Sequence, residues 1–262
     1  MSAFRTVRVS DPRFEHDGLR IVTVKSPALK RRGDLSLFVP QPCPESVPLV
    51  ILLHGVYGSH WSWSLGGGAH LTAQRLIDAG QIKPMVLAMP SDGLWGDGSG
   101  YLPHQQADYE RWIIEDVPAA VAEIVPNVSK TSPRFIAGLS MGGFGALRIG
   151  GKHAEKFAGI SAHSAITDFE QMGQFVEEPL PAFQANSSDY SAADAIISNW
   201  TSLPPLRFDC GTEDPLLEAN RELHDALNTS NVPHTYEEFS GGHEWPYWEE
   251  HIADSLRFFD QI

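Results

Sequence analysis

From residue 49 onward, short apolar runs alternate with segments of helical periodicity. Leu49 to Leu53 and Met85 to Met89 are uninterrupted apolar stretches, the pattern of strands buried on both faces. Arg134 to Ala137, Phe157 to Ser161, Leu206 to Cys210 and His234 to Phe239 read as further strands. Between them lie predicted helices over Ala69 to Ala79, Phe144 to Gly150, Pro215 to Leu227 and Pro246 to Phe259. Gly80 stops the first helix, and Asp108 to Val125 is helical with a break expected near Asp116 and Pro118. Strand and helix in turn predict an α/β fold with a mostly parallel sheet and helices on both faces.

The two ends of this pattern differ. Leu19 to Lys25 and Asp34 to Val39 alternate apolar and polar positions around Gly33, which predicts an antiparallel N-terminal hairpin at a sheet edge. Residues 163 to 204 break the alternation with Pro179, Pro181, Pro204 and Pro205. They are expected to be an insertion near the top of the sheet that shapes a pocket, within a single domain spanning 1–262.

Composition narrows the classes of function. The 262 residues include 42% apolar side chains, enough for a large core. The formal charge of −14 repels phosphate backbones and anionic lipid heads, so nucleic acid and membrane surfaces are not expected as partners. Homo-oligomerisation stays open. Cys43 and Cys210 are too few for a disulfide framework and are expected to be free thiols. Met1 to Ser10 has no apolar signal-peptide core, and a cytoplasmic location is expected.

The chemistry begins at Gly138-Leu139-Ser140-Met141-Gly142, a G-x-S-x-G pattern between a predicted strand and a predicted helix. That context places a serine on a sharp strand-to-helix turn, with small neighbours that let the strained backbone pass. Ser140 is the candidate nucleophile. The helix that follows aims free N–H groups and its positive end at the serine, so the Met141 N–H is a candidate oxyanion donor. A second donor is expected from His54-Gly55-Val56-Tyr57-Gly58, after strand 49–53. Val56 is the choice and Tyr57 the alternative, with His54 expected to brace the loop.

A serine hydroxyl needs a base, and the base needs an orienting acid. In folds of this kind the chain order is serine, acid, histidine, each on a loop after a strand. Of the eleven histidines only His243, in Ser240-Gly241-Gly242-His243, follows a strand in that way. The preceding strand leads into Gly211-Thr212-Glu213-Asp214-Pro215. Asp214 is preferred over Glu213 because its shorter side chain suits a fixed bond to the imidazole. Capping of the next helix would explain Asp214 equally, and the roles are compatible.

Taken together, the His54 to Gly58 loop, Leu139-Ser140-Met141-Gly142-Gly143, Gly211-Thr212-Glu213-Asp214 and Gly242-His243-Glu244-Trp245-Pro246-Tyr247-Trp248 resemble the esterase D-like family of α/β-hydrolases. That family includes S-formylglutathione hydrolases, tributyrin and feruloyl-type esterases, and mycolyltransferases. The resemblance spans roughly residues 20 to 260. It implies a serine carboxylesterase with no metal or organic cofactor, a Ser140–Asp214–His243 triad, and Val56 and Met141 as oxyanion donors. The loop at His54 departs from the Ser-Gly-Leu-Thr-Cys type of the glutathione thioesterases, which points to short-acyl, carbohydrate or aryl esters. An acyltransferase with the same triad, a thioesterase of the S-formylglutathione hydrolase kind and a non-catalytic binding protein are the rival readings.

Trp61, Trp63, Trp95, Trp245 and Trp248 fall on loops expected to rim the site. Aromatic walls suit a sugar face or an aryl group. Tyr57, Trp61, Trp95 and Trp245 are the candidate substrate contacts, whereas Trp248, on the last helix, is expected to pack. Asp92, just before the glycine-rich stretch Gly93 to Gly100, and Asp97 within it are possible polar contacts.

Overall fold

A computed structural model describes residues 2–262. Its centre is a nine-stranded sheet. In chain order the strands are β1 (Val7–Val9), β2 (Leu19–Lys25), β3 (Arg32–Phe38), β4 (Leu49–Leu53), β5 (Val86–Pro90), β8 (Arg134–Leu139), β9 (Gly159–His163), β10 (Leu206–Gly211) and β11 (Thr235–Phe239). The small pair β6 (Pro103–His104) and β7 (Ala107–Asp108) stands apart as an antiparallel hairpin. The spatial order is β1-β2-β3-β5-β4-β8-β9-β10-β11. The first three strands and β5 pair antiparallel, and β5, β4, β8, β9, β10 and β11 run parallel.

Alternation of side chains explains the two cores. On β4, Leu49, Ile51 and Leu53 point to one face of the sheet, and Val50 and Leu52 to the other. The first face is covered by α3 (Val117–Ile124), α4 (Met141–Lys152), α5 (Ala192–Ser198) and α6 (Leu217–Thr229), through residues such as Val121, Phe144, Leu147, Ile196 and Leu227. The second is covered by α1 (Ala69–Asp78) and α7 (Trp245–Asp260), through Ala73, Leu76, Ile252, Leu256 and Phe259. The expected break in the 108–125 helix is real. A short α2 (Tyr109–Arg111) and a wide π turn at Trp112–Asp116 precede α3, with Pro118 in the first turn of α3 where its missing N–H costs nothing.

β9 begins two residues later than its apolar run suggests, because parallel pairing with β8 from Phe135↔Gly159 to Leu139↔His163 carries it to His163. β1 went unread: its three residues pair only with β2 and bury almost nothing. Residues 164 to 205, between β9 and β10, form short helical turns and α5. They are tied to the body by an ion cluster at the fully buried Arg148 of α4. Its guanidinium meets Glu110 at 2.5 Å and donates to the Tyr101 carbonyl at 2.7 Å, while Asp189 of the inserted segment lies 3.4 Å away. Cys43 and Cys210 are both free thiols. Among the described residues no helix is long and apolar enough to cross a membrane.

The parallel strands all point their carboxyl ends the same way. The loops after β4, β5, β8, β9, β10 and β11 therefore gather along one rim of the sheet, where ligands bind in open α/β sheets.

Candidate active site

Ser140 sits on the turn between β8 and α4 with φ 54° and ψ −120°, a conformation that a residue with a side chain rarely adopts. The turn is possible because its neighbours are glycine. A Cβ on Gly142 would strike the carbonyls of Leu53 and His54, and one on Gly138 would strike the backbone of Gly142. Backbone bonds hold the turn: the Ser140 N–H donates to the His163 carbonyl at 3.0 Å, and its own carbonyl accepts from Phe144 at 3.0 Å and Ile166 at 3.2 Å.

The imidazole of His243 lies between this serine and Asp214. Nε2 is 3.0 Å from Ser140 Oγ, and Nδ1 is 2.9 and 3.1 Å from the two oxygens of Asp214. An ionised carboxylate only accepts, so Nδ1 carries the proton and Nε2 is free to accept the serine hydroxyl. The Asp214 side chain is fully buried and takes a further bond from the Leu216 N–H at 2.8 Å, capping the turn that leads into α6. Glu213 is exposed and points elsewhere. Its Oε2 accepts from the Gly241 N–H at 2.5 Å and its Oε1 from the Thr212 hydroxyl at 2.8 Å. Its backbone N–H also donates to the Gly241 carbonyl at 3.0 Å. Glu213 thus clamps the acid loop to the histidine loop.

Met141 opens α4, so its N–H has no acceptor within the helix. Gly55 passes over the serine: a Cβ there would stand 3.3 Å from Ser140 Cβ and 3.7 Å from Oγ. Of the next two residues, Tyr57 spends its N–H on the Asp97 carbonyl at 2.7 Å, whereas the Val56 N–H has no partner among the described residues. His54 is buried. Its Nδ1 donates to the Gly55 carbonyl at 2.7 Å and its Nε2 accepts from the Asp92 N–H at 3.0 Å. Burial pushes its pKa down and keeps the ring neutral for these two bonds.

The aromatic candidates divide. Tyr57 and Trp61 are exposed at the rim. Trp95 is half-buried, edge-on to His104 and Phe183 at 4.7 and 4.6 Å. Trp245 is half-buried over Gly66 and Gly67. Trp63 does not rim the site: it is buried, and its indole N–H donates to the Leu53 carbonyl at 2.8 Å. Trp248 packs, with its ring edge-on to His243 at 5.0 Å. Asp92 is buried and spends its carboxylate on the N–H groups of Leu94 and Ser99, so it shapes the loop and faces no ligand. Asp97 accepts from the Glu177 N–H at 2.8 Å, and Glu178 accepts from the Asp97 N–H at 3.1 Å.

One neighbour escaped sequence reasoning. Phe175, in the inserted segment, stacks on the His243 ring with centres 5.7 Å apart, and the Tyr57 hydroxyl donates to its carbonyl. The only signal for it was its place in a segment expected to shape a pocket. A cavity of about 780 Å³ lies elsewhere, lined by residues such as His16, Asp17, Gln41 and Gln74 and by none of the residues above.

A family model described as "Putative esterase" matches residues 26–259. An acetyl esterase of Caldicellulosiruptor saccharolyticus is 26% identical over 263 residues, covering 93% of this chain and 92% of that protein. Among solved structures, a ferulic acid esterase superposes with a TM-score of 0.79 at 24% identity, over 98% of this chain and 99% of the other. An S-formylglutathione hydrolase from Staphylococcus aureus superposes with a TM-score of 0.77 at 20% identity, over 97% and 98%. The two structures share the fold.

Proposed function

Because the chain belongs to this esterase family and is a hydrolase of carboxylic esters, we propose that Ser140, His243 and Asp214 are its catalytic triad and short-acyl, carbohydrate or aryl esters its substrates. The observation that carries the reading is the imidazole bonded on both sides, to Ser140 Oγ at 3.0 Å and to Asp214 at 2.9 Å. His243 takes the hydroxyl proton as Ser140 Oγ attacks the ester carbonyl. Asp214 holds the tautomer and stabilises the imidazolium that forms. The Val56 and Met141 N–H groups receive the oxyanion. His243 returns the proton to the departing alcohol, then activates water to release the acid from Ser140. Residues 1–262 act in this reading as one catalytic domain, with the inserted segment shaping the pocket.

Several features favour a small acyl group. Ser140 is only 2% exposed, and Met141 and Val56 crowd Gly98, where a Cβ would meet the Met141 sulfur. The acetyl esterase relative points the same way. Tyr57 and Trp61, exposed at the rim, offer apolar faces to a sugar or aryl alcohol. A panel of p-nitrophenyl acetate, butyrate and octanoate, an acetylated xylo-oligosaccharide and a methyl ferulate tests the class. Turnover that falls from acetate to octanoate supports it; preference for octanoate contradicts it. Added alcohols that collect the acyl group in place of water would shift the reading to an acyltransferase, which the same triad serves.

A further inference from the structure

Beneath the candidate triad lies a second polar array that the reaction does not use. Ser161, His163, Asp209 and Ser255 are fully buried, and Arg207 and Tyr247 nearly so. The Tyr247 hydroxyl donates to Asp209 Oδ1 at 2.8 Å. His163 Nδ1 lies 3.0 and 2.9 Å from the two oxygens of Asp209. The Ser255 hydroxyl meets His163 Nε2 at 2.7 Å, and Ser161 meets Ser255 at 2.6 Å. Arg207 approaches Asp209 at 2.8 Å and bonds Glu237 at 2.9 Å. Ser255, His163 and Asp209 thus repeat the serine–histidine–carboxylate order of the surface site, sealed from solvent.

Such a group is costly to bury, and an apolar core of the same volume would be no less stable. Its placement gives the reason. Its strands and helix each adjoin the loop or turn of one of the three candidate catalytic residues. The carbonyl of His163 accepts the backbone N–H of Ser140 at 3.0 Å. Asp209 lies on β10, whose next loop carries Asp214, and its carbonyl accepts from Ser164 at 2.8 Å. Tyr247 is in the first turn of α7, directly after the loop of His243, and its ring backs Gly241, where a Cβ would stand 2.8 Å from Tyr247 Cδ2. Ser255 pins the same helix two turns further on. Burial opposes ionisation of Asp209, but His163, Arg207 and the Tyr247 hydroxyl outweigh it and hold the carboxyl below its ordinary value.

Building on the triad reading, we infer that the Tyr247–Asp209–His163–Ser255 chain is a positioning network that sets the mutual placement of the serine, acid and histidine loops. None of its members touches the reacting atoms. Misplacing a catalytic group by as little as an ångström lowers the chemical step while leaving ground-state binding nearly intact.

The test is Tyr247→Phe, which removes one hydroxyl and no packing, assayed on p-nitrophenyl acetate beside wild type and Ser140→Ala. The expected result is a kcat about tenfold lower with KM within about twofold. A kcat within twofold of wild type, or a loss carried by KM alone, overturns the inference. A loss confined to thermal stability overturns it too, leaving the array a purely structural one. If Tyr247→Phe does not fold, Ser255→Ala cuts the chain at its far end and is read by the same criteria. Activity retained by Ser140→Ala would instead refute the triad reading itself, so the two failures are distinct.

Discussion

The Phe175 ring stacks on the imidazole of His243, with planes 22° apart and centres separated by 5.7 Å. The first belongs to the segment between β9 and β10, the second to the loop after β11. The stretch around Phe175 is fastened by its backbone to the loops on the serine side: the Tyr57 hydroxyl donates to its carbonyl, and the Glu177 N–H donates to Asp97. An otherwise irregular strap is thereby held across the imidazole, a side-chain contact beside the backbone bond from the Ile166 N–H to the Ser140 carbonyl.

Phe175→Ala should leave the strap in place, since its anchors do not involve the ring, and open the space above the imidazole. An aromatic pair contributes about 0.5–1.5 kcal/mol, so kcat/KM for p-nitrophenyl acetate is expected to fall roughly 3- to 10-fold. The octanoate-to-acetate ratio should rise at the same time. An unchanged chain-length profile would show that Phe175 does not bound the substrate site.

Asp214 and Glu213 are adjacent, yet only Asp214 reaches the imidazole. Asp214→Asn is expected to lower kcat by about 10⁴-fold, because an amide no longer stabilises the correct tautomer or the imidazolium. Glu213→Gln, which touches the Gly241 clamp and the Thr212 hydroxyl but not the imidazole, should cost about tenfold or less. Steady-state kinetics on p-nitrophenyl acetate separates them, and near-normal turnover by Asp214→Asn would move the acid role to Glu213.

Much of this arrangement was legible in the residues themselves, and the reason is local. Ser140, Asp214 and His243 each stand on the turn or loop after a predicted strand, so the rule that site residues follow strand ends was enough to nominate the three side chains that the fold brings together. The choice between Val56 and Tyr57 could not be made that way, because it turns on the bond from the Tyr57 N–H to Asp97, a contact between two loops. Trp63 was misread for the same reason: only the fold shows that its indole N–H meets the Leu53 carbonyl inside the core. Phe175 and the buried His163–Asp209 pair depend on elements far apart in the chain, and no periodicity encodes them. The irregular 164–205 segment holds its place through Arg148 and Asp189, a long-range ion cluster equally invisible to local pattern.

That cluster ties stability to pH. Burial opposes the charge on Glu110, but His153, Arg148 and Lys152 outweigh it and hold its carboxyl at about 2, against 4.5 for the free side chain. A carboxyl depressed by folding contributes stability that is present above the unfolded value and is lost as pH falls from 4.5 towards 2, here on the order of 3 kcal/mol. His104, pushed down to about 4 by burial, adds an earlier loss as pH falls from 6.5 towards 4. Thermal melts between pH 2 and 8 should show both phases. Glu110→Gln should flatten the lower one and His104→Gln the upper, and a melting temperature independent of pH below 6.5 would contradict both assignments.

The most direct test of the catalytic reading is hydrolysis of p-nitrophenyl acetate by the wild type and by Ser140→Ala, with fluorophosphonate labelling of each. The wild type is expected to turn over and to label, and the variant to lose label and at least about 10⁴-fold in kcat. A Ser140→Ala protein that still hydrolyses the ester at a comparable rate, or a wild type that labels at another residue, would contradict Ser140 as the nucleophile.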